Sequence, residues 1–173
     1  YKRLHRLDEA DVEPLEAMAP LSMMLSDWSE HVEVLAKKAE LISGDDERAH
    51  LYQQVGGAKR DMMDDQGGAI VAYEKAFELD PASVTTADAL IDLHESRQDA
   101  SRLVELYRRR IDLTDNNDDL RYELLSRMAR SYEGVLNQRR EAIEALREAL
   151  AVRANDKAVL QWLDQLFRHE QMW

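Results

Sequence analysis

The sequence predicts an all-α fold, a solenoid of stacked antiparallel helix pairs. The composition favours helices, because the 173 residues are rich in Ala, Leu, Glu and Arg and include only six Gly and three Pro. Similar segments recur along the chain, and their last apolar residues are separated by 34, 38, 34 and 39 residues. These residues are Leu7, Leu41, Leu79, Leu113 and Val152. Periods of this size are typical of helix-pair repeats, each of which buries its apolar face only by stacking on its neighbours.

Apolar residues spaced three and four apart, as in Ile70, Tyr73 and Phe77, predict the individual helices, and no alternation typical of strands competes with them. Turn signals such as Ser43-Gly44-Asp45 and Asp80-Pro81 separate them. The predicted helices span 11–25, 28–42, 46–63, 66–79, 83–96, 99–113, 117–135, 139–153 and 156–170.

We interpret the whole chain, 1–173, as one repeat array. Its predicted parts are the end of a preceding repeat at 1–9, repeats at 11–43, 46–81, 83–115 and 117–154, and a half repeat at 156–173. The segment Tyr1–Leu7 is similar to Tyr107–Leu113, so we expect the chain to begin inside a second helix and to be a piece of a longer array. Apolar array ends without a cap, including Trp173, predict possible self-association.

The separations alternate between short and long, so the true period is a double unit of 72 or 73 residues. We expect the four extra residues to lie in the junctions between repeats, around Ser43–Glu47 and Thr114–Asp119. Two kinds of junction would produce two different angles between neighbouring repeats.

The formal net charge of −12 disfavours a nucleic-acid partner and an anionic membrane surface, since both bind through Lys and Arg. It is compatible with a basic protein or peptide, although acidic helices also simply keep a protein in solution.

No run of eighteen apolar residues predicts a transmembrane span. The chain has no Cys, which excludes disulfides and thiolate chemistry and leaves the compartment open, with the cytoplasm as the default.

The stretch His50–Ser83 combines small residues, an aromatic residue and a proline at Gly57, Ala69, Tyr73, Ala76 and Pro81. With these residues at this spacing, the stretch resembles the tetratricopeptide repeat (TPR) family. Small residues let two helices approach closely, and an aromatic ring fills the adjacent gap. Elsewhere the match is weaker, with Lys38 and Arg110 at small-residue positions. The resemblance implies a right-handed superhelical α-α solenoid and a non-catalytic scaffold for protein-protein interaction.

The resemblance also implies that the first helix of each repeat lines a concave groove. Its inward-facing residues would be Gln54, Asp61, Asp88, Asp92, Glu95, Arg130, Glu133, Gln161 and Gln165. Asp88, Asp92 and Glu95 share one helical stripe, which predicts an acidic patch suited to a basic peptide. The alternative is that these three carboxylates are only the solvent-exposed polar side of a stacked helix and bind nothing. The Lys, Asn and Arg set with which some family members clamp a C-terminal carboxylate is absent from these positions.

No catalytic, cofactor or metal constellation stands out, so we expect a protein that is not an enzyme and has no cofactor. Glu47 and His50 form one Glu-x-x-His motif where an iron site would need two. The segment 115–119 begins like a calcium loop but lacks the Gly and Glu that follow, so we predict helix capping by Asn117 or Asp118 instead.

Five methionines between positions 18 and 63 are open to two interpretations. Core filling is favoured over an adaptable binding surface for Met18, Met23, Met24, Met62 and Met63. For the chain as a whole, two functions from different classes remain. One is a peptide-binding module, and the other is a structural spacer or self-assembling segment of a longer repeat protein.

Overall fold

The structure, a computed structural model, describes residues 11–170. Within this range it contains nine helices and no strand, and each helix end lies within two residues of its prediction. The helices are α1 Glu13–Met24, α2 Trp28–Leu41, α3 Asp45–Met62, α4 Gln66–Leu79, α5 Val84–Arg97, α6 Ala100–Asp112, α7 Asp118–Gly134, α8 Arg139–Val152 and α9 Lys157–Glu170. The all-α prediction is confirmed. The predicted repeat end at 1–9 and the expected open end at Trp173 lie outside the described residues.

The chain divides into two compact units, one ending at Leu90 and the other beginning at Ile91, so that the border falls within α5. In the first unit α1 packs on α2, α2 on α3, and α3 on α4. In the second, α6 packs on α7, α7 on α8, and α8 on α9. Each unit is therefore built of stacked helix pairs, in which we call α1, α3, α5, α7 and α9 the first helices and α2, α4, α6 and α8 the second helices. The grouping into one array and its superhelical course stay predictions.

None of the helices between residues 11 and 170 has the length and apolar character needed to cross a lipid bilayer.

The turns from first to second helices share one design. A residue in the left-handed region follows the first helix, and the next residue is the N-cap of the second helix. In the turn before α4, Asp64 has a φ of 53°, and the Asp65 carboxylate accepts a hydrogen bond from the backbone N–H of Gly68 at 2.8 Å. Asp27 and Asp99 cap α2 and α6 in the same way. These local caps explain why the turns could be placed from sequence.

The extra residues of the long repeats lie in the first helices, which corrects the expectation of longer junctions. Helix α3 has 18 residues and α7 has 17, whereas α5 has 14. The insertion therefore adds about one turn of 3.6 residues to the helix. Asp45, Asp46 and Glu47 form an acidic first turn of α3, and Asp118 and Asp119 do the same in α7, where they stabilise the positive end of the helix dipole.

The close packing of α3 against α4 depends on a glycine that the family pattern did not indicate. A Cβ atom on Gly56 would lie 2.9 Å from three carbons of the Tyr73 ring, a distance that requires something to move. On Gly57 it would lie 3.6 Å from the Tyr73 hydroxyl, an ordinary contact. Gly56, rather than Gly57, therefore makes room for the ring. The small residues Ala69 and Ala76 are fully buried, as the resemblance implies.

The two long side chains at small-residue positions are accommodated by polar partners for their charged ends. The Lys38 ammonium forms ion pairs with Glu16 at 3.0 Å and Glu47 at 3.4 Å, and the hydrogen bond to Glu16 raises the pKa of Lys38. The Arg110 guanidinium donates to the Thr114 hydroxyl at 3.1 Å. The aliphatic stems can then pack between helices while the charged ends keep hydrogen-bonding partners.

Candidate functional site

The predicted groove residues all lie on first helices, and most of them are exposed. Glu95 and Glu133 are half-buried, whereas the exposed members are Gln54, Asp61, Asp88, Asp92, Arg130, Gln161 and Gln165. Their assembly into one continuous groove stays a prediction.

Helix α5 exposes an acidic face. Asp88 and Asp92 are exposed, while Ala89, Leu90 and Ile91 between them are buried. The carboxylates therefore occupy the side of the helix that does not pack. Because exposed charges act over about 8–10 Å at ordinary ionic strength, this face presents a negative potential to the solvent.

The third member of the stripe, Glu95, is held within the second unit. Its Oε1 accepts a hydrogen bond from the Tyr107 hydroxyl at 2.5 Å and lies 3.4 Å from Nη1 of Arg127. Tyr107 is almost fully buried, and burial together with the Glu95 carboxylate raises the pKa of its hydroxyl well above the usual range. Glu95 thus links α5, α6 and α7, and the Arg127 charge compensates its own.

Glu95 and Arg130 are brought together in one cleft of about 360 Å³. The cleft has an apolar floor and polar walls, formed by Glu95, Gln98, Ala100, Leu103, Tyr107, Arg127, Arg130, Ser131 and Val135. Within residues 11–170, Arg130 has no hydrogen bond or ion pair. The cleft therefore offers an apolar surface beside an arginine whose donors remain available to a ligand.

A second cleft, of about 500 Å³, runs along α7 and is rich in arginine. Its lining comprises Asp119, Tyr122, Glu123, Ser126, Arg127, Arg130 and Arg153. Arg153 pairs with Asp119 and stacks 4.2 Å from the centre of the Tyr122 ring, and Arg127 pairs with Glu123. Sequence reasoning missed Arg127 and Arg153. The Glu123–Arg127 spacing of four residues could have indicated the first, whereas no local signal indicates that Arg153 folds back onto α7.

Three other predicted residues are engaged by neighbours. The Trp162 indole N–H donates to Glu133 at 2.6 Å, joining α7 to α9. The Arg60 guanidinium binds both carboxylate oxygens of Asp61 at 2.7 and 3.1 Å, and this lowers the pKa of Asp61. Gln54 forms a hydrogen bond with His50 at 2.9 Å. These contacts fix side-chain positions but do not converge on one site.

Comparison with known proteins identifies the fold. No family model and no curated protein matches the sequence. Among solved structures, MamA matches at a TM-score of 0.52 and 23% identity, covering 88% of this chain and 84% of that chain. The N-terminal domain of the stress-induced protein STI-1 from C. elegans matches at 0.53 and 19%, covering 72% and 98%. YrrB, described as a TPR protein with an unusual peptide-binding site, matches at 0.53 and 12%, covering 93% and 78%.

The chain has the TPR fold. Consistent with that fold, Ala69, Tyr73 and Ala76, which the TPR resemblance assigned to helix pairing, are buried. The predicted binding residues lie instead on exposed or half-exposed faces of the TPR first helices. At these low identities the likeness concerns the fold alone.

The methionines correct one expectation about this TPR fold. Met18 is buried, but Met23, Met24, Met62 and Met63 are exposed, with Met24 at 78%. The latter four lie at or beside the turns that join first to second helices, where the packing of neighbouring pairs leaves the side chains uncovered. Core filling therefore explains one of the five.

Asn117 accepts a hydrogen bond from the backbone N–H of Leu120 at 3.0 Å, so the predicted capping of α7 is confirmed. Within the described part of the chain, no group of three or more His, Asp or Glu side chains is arranged to hold a metal ion.

Proposed function

We propose that this protein is a non-catalytic scaffold for protein-protein interaction, whose first helices bind a peptide or a helix of basic character. The observation that carries this proposal is the exposed face of α5, where Asp88 and Asp92 point away from a buried apolar side. Basic side chains complement such a face, and charge complementarity chiefly speeds association and excludes acidic competitors. YrrB, a TPR protein with an unusual peptide-binding site, supports this proposal by analogy of fold.

The cleft beside Glu95 adds the specificity that exposed charges alone do not provide. Its floor includes Leu103 and Tyr107, which can receive an apolar side chain of the partner. Arg130 can donate to a carbonyl or carboxylate of the same partner, since its donors have no partner within residues 11–170. A peptide that combines basic residues with an apolar anchor would match both features.

The test compares two variants with the same change in net charge. D88K/D92K reverses the α5 face, whereas E40K/E78K reverses two exposed carboxylates on the second helices α2 and α4. Binding of a fluorescent Lys- and Arg-rich helical peptide is measured by anisotropy at low and high salt. We expect salt-dependent binding that D88K/D92K weakens at least about tenfold, while E40K/E78K stays near the wild type.

Equal weakening by both variants would mean that only the net charge matters, and the α5 assignment would be wrong. Absence of any peptide binding, together with a molecular mass that rises with protein concentration in light scattering, would replace the proposal with the self-assembling segment.

A further inference from the structure

A second surface lies in the first unit, in a groove that the second helices α2 and α4 form over α3. Its volume is about 510 Å³, within the range of roughly 300–1,000 Å³ typical of ligand sites. The floor is apolar and consists of Val32, Ala36, Tyr52, Val55 and Ala72. None of the residues predicted to bind on the first helices lines it.

The groove is open because small side chains stand where larger ones would fill it. Ala36 on α2 and Ala72 on α4 face the same space, and Val71 at the rim is 60% exposed. Met63 also lines the groove and is exposed. An apolar concavity with an uncovered valine and methionine at its edge gains free energy when another apolar surface covers it.

The uncompensated charge at the groove is positive, although the chain as a whole carries −12. Lys59 is paired with Asp65 at 3.1 Å, and Glu33 is paired with Lys37 at 3.3 Å. Lys75 lies over the Tyr52 ring, 5.0 Å from its centre, and within residues 11–170 no carboxylate pairs with it. An acidic group of a partner would complete this site electrostatically.

Tyr52 supplies a second polar feature. Its side chain is 6% exposed and lines the groove, yet its hydroxyl makes no hydrogen bond within the described part of the chain. The hydroxyl is not among the fully buried unpaired polar atoms of the described residues, so it reaches the surface of the groove, where an acceptor of a partner can bind it. The groove thus combines an apolar floor, a donor without an acceptor and a cation without a carboxylate.

We propose that this groove docks an acidic amphipathic helix of a partner protein, whose apolar side chains cover the floor and whose carboxylate binds Lys75 and the Tyr52 hydroxyl. Helices α2 and α4 have 14 residues each, which is about 21 Å of helix at 1.5 Å per residue, long enough to align a partner of four turns. The surface goes beyond the proposed function, because it uses the second helices and selects the opposite charge.

The probes are two synthetic 16-residue amphipathic helices with the same Leu positions, one with Glu and one with Lys on the flanks of the apolar face. Binding is measured by fluorescence anisotropy. We expect the Glu peptide to bind more tightly, and V71E and K75E each to weaken it at least about tenfold. Y52F removes only the hydroxyl and should weaken it by roughly threefold to tenfold. L160E, at an exposed leucine of the second unit that lines neither cleft, should leave it unchanged, with circular dichroism checking the fold of every variant.

Binding of the Lys peptide as tightly as the Glu peptide would overturn the proposal, as would a V71E variant that binds normally. A concentration-dependent dimer that V71E abolishes would show that a second copy occupies the groove, which also overturns it. D88K/D92K should leave binding of the Glu peptide intact, so failure of this proposal is distinguishable from failure of the α5 peptide site.

Discussion

The helix pairs α3–α4 and α7–α8 occupy corresponding places in the double repeat but close their interface with different side chains. In the first pair Gly56 meets Tyr73, and in the second the corresponding residues, 72 and 73 positions later, are Met128 and Leu146. Gly56, Tyr73, Met128 and Leu146 are all buried. The first pair places all of its side-chain atoms at these two positions in Tyr73, whereas the second pair divides them between Met128 and Leu146.

The two units differ in which helices border their open apolar surface. In the first unit an apolar groove lies between the second helices α2 and α4, with Val71 exposed beside it. In the second unit the second helices α6 and α8 are joined by the Arg108–Glu148 pair, with bonds of 2.7 and 3.0 Å, and the apolar cleft beside Glu95 lies at α5, α6 and α7 instead. The same helix-pair plan therefore leaves apolar surface in both units, but at different helices.

The largest effect should come from filling the space at Gly56. G56M forces side-chain atoms into the buried Tyr73 ring, and overpacking of this kind costs about 1–3 kcal/mol. The gain in helix propensity of roughly 0.7 kcal/mol offsets only part of this. Urea denaturation followed by circular dichroism measures the loss. The adjacent G57A is the control, because its new Cβ makes an ordinary contact of 3.6 Å and should leave stability unchanged or higher.

The second prediction places the Met and Leu residues of the α7–α8 pair at the corresponding positions of the α3–α4 pair. Adding Y73L to G56M recreates the Met and Leu pair, so the double variant should recover at least about 1 kcal/mol relative to the sum of the single variants. A double-mutant cycle measures this coupling in the same denaturation experiment. If the effects of G56M and Y73L simply add, the side chains at positions 56 and 73 do not share one space between the helices.

A smaller effect is expected from the charge pair between α6 and α8. Both side chains are more than one third exposed, at 45% for Arg108 and 39% for Glu148, so solvent screens the interaction. E148Q should cost about 0.5 kcal/mol at low salt. The difference from the wild type should shrink in 0.5 M salt or above, because the Debye length there is only a few ångströms. A loss independent of salt would mean that packing, not charge, holds the two helices.

The smallest effect concerns acid, and it should appear in the first pair alone. The Asp65 carboxylate caps α4, and the Gly68 N–H followed by Lys59 lowers its pKa below the ordinary value of 3.8. The corresponding residue before α8, Gln138, makes no side-chain cap and does not titrate. A lowered folded pKa contributes stability above pH 3.8, and this stability is lost as the pH falls through the folded value.

Hydrogen exchange of the first amides of α4 should therefore accelerate relative to those of α8 as the pH is lowered below about 4, after correction for intrinsic exchange. D65N keeps a capping side chain but removes the titration, so its α4 amides should lose this acid dependence. Identical acid responses of α4 and α8 would refute a role for Asp65.

Particular residues show how far local patterns reach. The spacing of Ile70, Tyr73 and Phe77 and the capping at Asn117 placed α4 and α7, because both signals involve residues within one or two helical turns. The assignment of the close approach to Gly57 was wrong, because the position of the Tyr73 ring on another helix decides that Gly56 is the residue without room for a side chain. The extra turn of α3 was assigned to a junction because acidic residues suit a helix start as well as a loop.

The sequence by itself determined that the chain is helical, where each helix begins and ends, and that a helix-pair unit repeats, because periodicity and capping act over a few neighbouring residues. Only the tertiary structure decided which polar groups remain available. The Glu95 carboxylate is engaged by Tyr107 and Arg127 from two other helices. Lys75 lies over the Tyr52 ring and has no carboxylate partner within residues 11–170. Such contacts depend on the packing of separate helices, and no spacing within one segment encodes them.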